Sequence, residues 1–388
     1  MIYLDNNATS PLRPAARTAM LRAIESVGNA SSVHRAGREA RTAIEGARES
    51  VAHLAGSDTP DVVFTSGGSE ANALALRGAA AGAAESGKRI TRIMVSAIEH
   101  DSVLANAAAL SESQPGLKLQ EIPVRPDGTI DIAALRPMLM QGKGRVLVSV
   151  MAANNETGVL QDVAEIGKLV KEEGGPGALF HVDAVQFAGH MPLSFPATGA
   201  DYLTLSAHKL GGPQGTGALI AKQTAPLSAE IAGGGQEFGR RAGTENVAAI
   251  AGFGAVVDQI DEIRSSAAAL KGLRKHFEVE LKQLAPDAVI FSEQAERLPN
   301  TCNFAIPGLG SETALIALDL DGIAVSSGSA CSSGKVKPSH VLRAMGVPDD
   351  LARCGIRVSF GWQNRETDID ALIESLRRLL ARRAALAA

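Results

Sequence analysis

Apolar positions set the frame of this chain before any motif does. Between Ala15 and Val27 they fall at helical spacing. Ala40, Ile44, Ala47, Val51 and Leu54 recur every three or four residues, the mark of one buried helix face that stops at Gly56. Short apolar runs then alternate with helical stretches. Residues 62–64 predict a strand, followed by Gly67 and Gly68 and a helix from Ser69 to about Ala84. Residues 93–95, 146–150, 179–182, 202–205 and 217–220 predict further strands, with helices after Asp101 and near Asp162. The alternation predicts an α/β fold, a mostly parallel mixed sheet wrapped by helices.

Near Asn246 the pattern changes. A long helical stretch runs to about Leu284, broken near Ser265 and Ser266. Beyond it, strands near 289–291, 302–306 and 356–359 mix with helices at 311–319, 338–345 and 367–385. This predicts a smaller α+β domain. A chain of 388 residues is too long for one ordinary core. The expected division is an N-terminal segment, 1–14, that joins the small domain, a large domain over 15–258, and the small domain over 259–388.

Composition narrows the function. Aromatics are only 3%, so the core must come mainly from Ala, Val, Leu and Ile. The net charge is -4 and no basic stripe stands out, which argues against nucleic-acid binding. Arg377, Arg378, Arg382 and Arg383 read as the solvated face of a terminal helix. The start lacks a cationic segment followed by an apolar run, so no signal peptide is expected, and no apolar run is long enough for a membrane span. The three cysteines, Cys302, Cys331 and Cys354, are odd in number and far apart. A reducing, cytoplasmic setting fits them best, and no metal site is expected.

Five predicted strand ends carry candidate chemistry. After the first strand, Thr65 to Glu70 form a Gly-rich turn opening a helix, and a helix N-terminus favours phosphate. Alone, such a turn is more often a plain cap, and it matches neither the nucleoside triphosphate nor the dinucleotide pattern. Glu99 and His100 follow the second strand; an imidazole there can stack on a ring and move protons, or be structural. Asn155 stands in an Asn- and Gly-containing stretch that is also a turn signal. Asp183, with Gln186 three residues on, ends another strand. An acid there can keep a pyridine nitrogen protonated, or cap a helix. Ser206, His208 and Lys209 follow the strand at 202–205, and a lysine ε-amine forms a Schiff base with an aldehyde cofactor. Together these groups would lie along the carboxyl edge of one sheet, where open α/β folds bind ligands.

Taken in order, YLDNNAT (3–9), TSGGSE (65–70), EH (99–100), NNETG (154–158), HVDAVQ (181–186), SAHK (206–209), RAGTEN (241–246), SGSACSS (327–333) and IRVS (356–359) resemble the cysteine desulfurases of the NifS/IscS-like group, which have the class V aminotransferase fold, fold type I of pyridoxal-phosphate enzymes. The resemblance covers almost the whole chain and implies a pyridoxal 5'-phosphate cofactor. It makes Lys209 the residue that carries the cofactor, pairs Asp183 with the ring nitrogen and Gln186 with the ring oxygen, and places Asn155 at the ring with His100 stacked on it. Gly68, Ser69, Ser206 and His208 would hold the phosphate, and Thr244 would reach it from the neighbouring subunit of a homodimer. Asn7, Asn155 and Arg357 would bind the substrate, L-cysteine, through its carboxylate end. Catalysis would fall to Lys209, His100 and Cys331. Cys331 stands in a Ser- and Gly-rich stretch that reads as a mobile loop, suited to accepting sulfur and passing it to an iron–sulfur scaffold or another acceptor protein. Cys302 and Cys354 read as core residues.

Two departures from the family pattern stand out. Ala30 takes the place of a usual Pro, and Phe360-Gly361-Trp362 replaces a commoner Leu-Gly, a change expected at the pocket rim. The rival readings are an aminotransferase or β-lyase on the same fold, which has no need of Cys331, and a non-catalytic sulfur-assembly scaffold, which has no need of Lys209, Asp183 and His100 together. A nicotinamide oxidoreductase lacks its glycine pattern.

Overall fold

The structure, a computed structural model, describes residues 1–141, 144–327 and 338–387. Its strands are β1 (Ile2–Tyr3), β2 (Val62–Thr65), β3 (Ile90–Ser96), β4 (Lys118–Ile122), β5 (Arg145–Met151), β6 (Leu179–Asp183), β7 (Tyr202–Ser206), β8 (Gly217–Ala221), β9 (Val289–Ile290), β10 (Thr301–Ala305), β11 (Ile323–Ala324) and β12 (Gly355–Ser359).

Seven of them form one sheet in the order β2-β8-β7-β6-β5-β3-β4. From β4 to β7 every neighbouring pair is parallel, and β8 alone runs against the rest, between β7 and β2. β5 shows how the sequence folds this way. Its side chains alternate faces: Val146, Val148 and Val150 enter the core on one side of the sheet, while Leu147 enters the core on the other. The first side is covered by helices including Arg35–Ala55, Val163–Glu173 and Val247–Val257, and the second by Asp101–Ser113 and the helical stretch that starts at Gly68. With both faces covered, the central strands are buried throughout, so they read in the sequence as continuous apolar runs.

The predicted helix from Ser69 is interrupted by a π-helical turn, Leu74–Gly78, before it resumes as Ala79–Glu85. The long helix predicted after Asn246 is three helices, Val247–Val257, Ile260–Ser265 and Ala267–Leu284. The break at Ser266 matches the expected position, while that at Asp258 and Gln259 carries no Gly or Pro to announce it.

A second core sits beside the antiparallel sheet β12-β10-β9. Phe277 packs edge-on to both Phe304 and Phe360 within it. The N-terminal segment belongs to the same core: Leu4 is fully buried in it, β1 pairs in parallel with β11, and Asp5 bridges to Ser359. Cys302 and Cys354 are buried, and burial pushes the Cys302 thiol well above its usual range. No helix among the described residues is long and apolar enough to cross a membrane.

Candidate active site

The carboxyl ends of β2, β3, β5, β6 and β7 share one edge of the large sheet, because these strands point the same way. The loops leaving that edge wall a cavity of 690 Å³, within the range of small-molecule sites. Every described candidate but Thr244 borders it.

β7 ends at Ser206, and one tight turn, Ala207–Lys209, brings the lysine back over the sheet edge. Lys209 Nζ donates to the carbonyl oxygens of Asn7 (2.6 Å) and Ala8 (2.7 Å). A neutral amine has two hydrogens, so these two bonds use both and leave the lone pair free. The surroundings favour that form. Burial, then the positive charge of Arg357, lowers the Lys209 pKa to about 8, against the opposing pull of Asp5 and Asp183.

Asp183 closes β6. One carboxylate oxygen accepts from the Val185 amide (3.0 Å), the other from Asn72 Nδ2 (2.8 Å). Asn72 Nδ2 also donates to Ser102 Oγ (2.9 Å), which lies 2.8 Å from His100 Nδ1. A continuous path of hydrogen bonds therefore runs from Asp183 through Asn72 and Ser102 to His100. His100 is itself the N-cap of Asp101–Ser113, its Nδ1 accepting from the Ser102 amide (3.1 Å). Sequence reasoning missed Asn72 and Ser102. The signals were faint: Asn72 lies four residues after Gly68 on the same helix face, and Ser102 opens the helix that His100 caps.

Gln186 Nε2 donates to Asn7 O (2.9 Å), which leaves its second hydrogen free. Asn154, not Asn155, builds the turn after β5. Its Oδ1 accepts from the amides of Glu156 and Thr157, and Gly158 follows at φ 78°. That frees the Asn155 side chain to line the cavity. Arg357, on β12, comes from the second core. Its Nη2 pairs with Asp5 Oδ1 (2.7 Å), its Nη1 donates to Asn155 O (2.9 Å), and its buried Nε has no partner. Asn7 Nδ2 donates to the same Asn155 carbonyl (3.1 Å) and to Thr301 Oγ1 (2.9 Å). Asn7 thus ties both cores to one point.

Opposite lies a cradle for an anion. Gly68 starts the helix, and a Cβ there would stand 3.0 Å from Val185 Cγ2 and 3.4 Å from Ser206 Cβ, so glycine lets the helix start approach the end of β7. Ser206 Oγ is buried without a hydrogen-bond partner. His208 Nδ1 lies 3.2 Å from Thr9 Oγ1, and burial, then neighbouring Lys209, lowers the ring to about 4, so it is neutral at pH 7. A lysine amine, a buried acid and this cradle match a ligand with an aldehyde, a basic ring nitrogen and a phosphate.

Behind the cavity, Glu99 is fully buried. Oε1 accepts from the Met151 amide (2.6 Å), Oε2 has no partner, and burial, then Asp183, raises the carboxyl well above its usual range. His181 is also buried, between Ser149 Oγ (2.8 Å) and Thr204 Oγ1 (3.0 Å), and burial lowers it to about 4, a structural histidine. Thr244 is exposed and away from this cavity. Cys331 lies outside the described residues. Trp362, expected at the rim, does not border the cavity. Its indole donates to Pro11 O (3.3 Å) beneath the Arg13 guanidinium, so it pins the N-terminal segment instead.

The fold and this edge-of-sheet site define a class. The family model for Aminotransferase class-V matches residues 2–372, and the chain belongs to that family. It is 39% identical to the cysteine desulfurase IscS of Dictyoglomus turgidum, over 98% of this chain and 94% of that protein. An IscS-like cysteine desulfurase of Mycobacterium tuberculosis is 38% identical over 100% of this chain and 99% of its own. The X-ray structure of a NifS-like protein from Rickettsia africae superposes with a TM-score of 0.88 at 37% identity, covering 98% of this chain and 99% of that one. Within the class V aminotransferases, the chain thus falls in the cysteine desulfurase group.

Proposed function

We propose that this protein is a cytoplasmic, pyridoxal-phosphate-dependent cysteine desulfurase that converts L-cysteine to L-alanine and holds the sulfur on Cys331 as a persulfide for an acceptor such as an iron–sulfur scaffold protein. The observation that carries the reading is the convergence of the Lys209 amine, the Asp183 carboxylate and the unpartnered Ser206 hydroxyl on one cavity.

When bound, pyridoxal 5'-phosphate supplies an aldehyde for imine exchange and a protonated ring that withdraws electrons from an attached amino acid. The chain's residues do the rest. Lys209 attaches the cofactor through its neutral amine and, once displaced by substrate, takes the Cα proton. Asp183 keeps the ring nitrogen protonated, Gln186 donates to the ring oxygen and Asn155 lies beside it. His100 covers the ring face. Ser206, His208 and the Gly68 and Ser69 end of the helix hold the phosphate, joined by Thr244 of a second subunit in a homodimer. Arg357, with Asn7 and Asn155, receives the substrate carboxylate. For that, Arg357 must turn part of its fork from Asp5. The Cys331 thiolate attacks the substrate sulfur, the carbon–sulfur bond breaks, and protonation of the carbon releases alanine.

The test is purified protein incubated with sulfur-labelled cysteine, read as alanine released and as the residue that holds the label. Label on Cys331 with alanine in step supports the reading. Alanine at the normal rate from Cys331→Ala removes the role of that thiol, and keto-acid production in place of alanine favours an aminotransferase.

A further inference from the structure

Three imidazoles border the cavity, those of His100, His208 and His340, and their hydrogen bonds fix where each can hold a proton. His100 Nδ1 accepts from the Ser102 amide, which can only donate. The neutral ring therefore carries its hydrogen on Nε2. A proton added at Nδ1 would face that amide and undo the cap of Asp101–Ser113. His100 is thus held as a hydrogen-bond donor. His208 lies against Thr9 beside Lys209, a poor place for a second positive charge.

His340 differs. Its Nε2 lies 3.0 Å from the carbonyl oxygen of Glu99. A carbonyl can only accept, so Nε2 carries the hydrogen and Nδ1 keeps its lone pair. Among the described residues Nδ1 has no hydrogen-bond partner. The ring is well anchored. Ser339 caps the helix His340–Ala344 by accepting from the Leu342 amide (3.1 Å), and donates to Glu156 Oε2 (2.5 Å). The charged groups around it are Glu156, which interacts electrostatically with His340, and Arg357 and Asp101, which act on the same Glu156. Burial, the largest influence, holds the Glu156 carboxyl above its usual range, against the Ser339 hydrogen bond and the nearby charges.

We infer that His340 is the proton acceptor for the amino acid entering the cavity: Nδ1 takes one proton from the substrate ammonium, the N–H bond breaks, its electron pair stays on nitrogen as the lone pair of a neutral amine, and His340 becomes an imidazolium. The inference deepens the desulfurase reading and rests on it. A free amino acid arrives as an ammonium at neutral pH, and only the neutral amine is a nucleophile.

The test compares holoenzyme of the wild type and of His340→Gln across the neutral pH range, measuring kcat/KM for L-cysteine. Glutamine keeps an N–H donor for Glu99 O and removes the base. The expected result is a loss on the order of a hundredfold in kcat/KM, with the acid limb of the pH profile gone while Tm and the bound-cofactor absorbance stay the same. Imidazole in solution restores part of the activity of His340→Ala. A His340→Gln enzyme within twofold of the wild type overturns the inference, as does a fall that leaves the acid limb in place with no imidazole rescue. The wild type reads the underlying function separately. If it releases no alanine from cysteine, both ideas fall. If it does and His340→Gln matches it, only the role of His340 falls.

Discussion

Lys209 and Glu99 face opposite demands within one small region. Lys209 donates to two carbonyls and is left with a lone pair, which suits an amine held near neutrality. With its pKa at about 8 rather than the ordinary lysine value, the neutral fraction at pH 7 is roughly three-hundredfold larger. The sign follows from the neutral form being the reactive one. The rate at which cofactor-free protein takes up pyridoxal 5'-phosphate should rise about tenfold per pH unit below the pKa and level off above about 8, read from the growth of the visible absorbance. A rate independent of pH there would remove the lowered pKa from the account. Glu99 is the converse case, a buried acid with its pKa raised, one oxygen bonded to the Met151 amide and the other unpartnered. Burial and Asp183 favour its neutral form, which resembles an amide. Glu99→Gln should therefore leave the urea midpoint almost unchanged, whereas Glu99→Ala, which strands the Met151 amide, should cost about 1–3 kcal/mol. Equal losses in the two variants would mean that Glu99 is charged.

At the scale of elements, the helix Asp101–Ser113 shows how one residue serves packing and chemistry together. His100 caps it through Nδ1 and presents its other ring nitrogen away from that bond. Asparagine is a strong N-cap, so His100→Asn should keep the stability that His100→Ala loses, about 1 kcal/mol by urea denaturation. Both variants should lose alanine release, because neither has a ring to cover the cofactor. An active His100→Asn enzyme would reduce His100 to a cap. The strands feeding this edge were legible because burial on both faces makes them apolar runs, as in Val146, Leu147 and Val148. β4 was not. As the sheet's edge strand it reads Lys-Leu-Gln-Glu-Ile, too polar to stand out. The reversed direction of β8 was hidden for another reason, since apolar runs carry no sign of strand direction. Lys209 and Asp183 could be picked out because they end buried strands. Asn72, Ser102 and His340 sit in helices, where Asn, Ser and His are ordinary residues, and only their hydrogen bonds single them out.

For the whole molecule, the open question is what completes the anion cradle. Thr244 belongs to a segment tied to the cradle's helix through Arg241, whose Nε lies 2.9 Å from Glu70 Oε1, yet Thr244 itself is exposed and does not border the cavity of its own chain. That placement suits a residue serving a second subunit's site. If it does, co-expression of Lys209→Ala with Thr244→Ala should rescue function. In the mixed dimer, one site receives both altered residues and is dead. The other receives Lys209 from one chain and Thr244 from its partner, and is intact. The mixed dimer, isolated with two different affinity tags, should then show close to half the wild-type activity, while Lys209→Ala alone shows none and Thr244→Ala alone needs more pyridoxal 5'-phosphate for saturation. Were Thr244 to serve its own chain, each site of the mixed dimer would carry one defect, and the only active site, the one with Thr244→Ala, would keep that variant's raised requirement for pyridoxal 5'-phosphate. Sedimentation at twice the chain mass is needed for either result to be read, and a monomer at that stage would leave Thr244 no second site to reach.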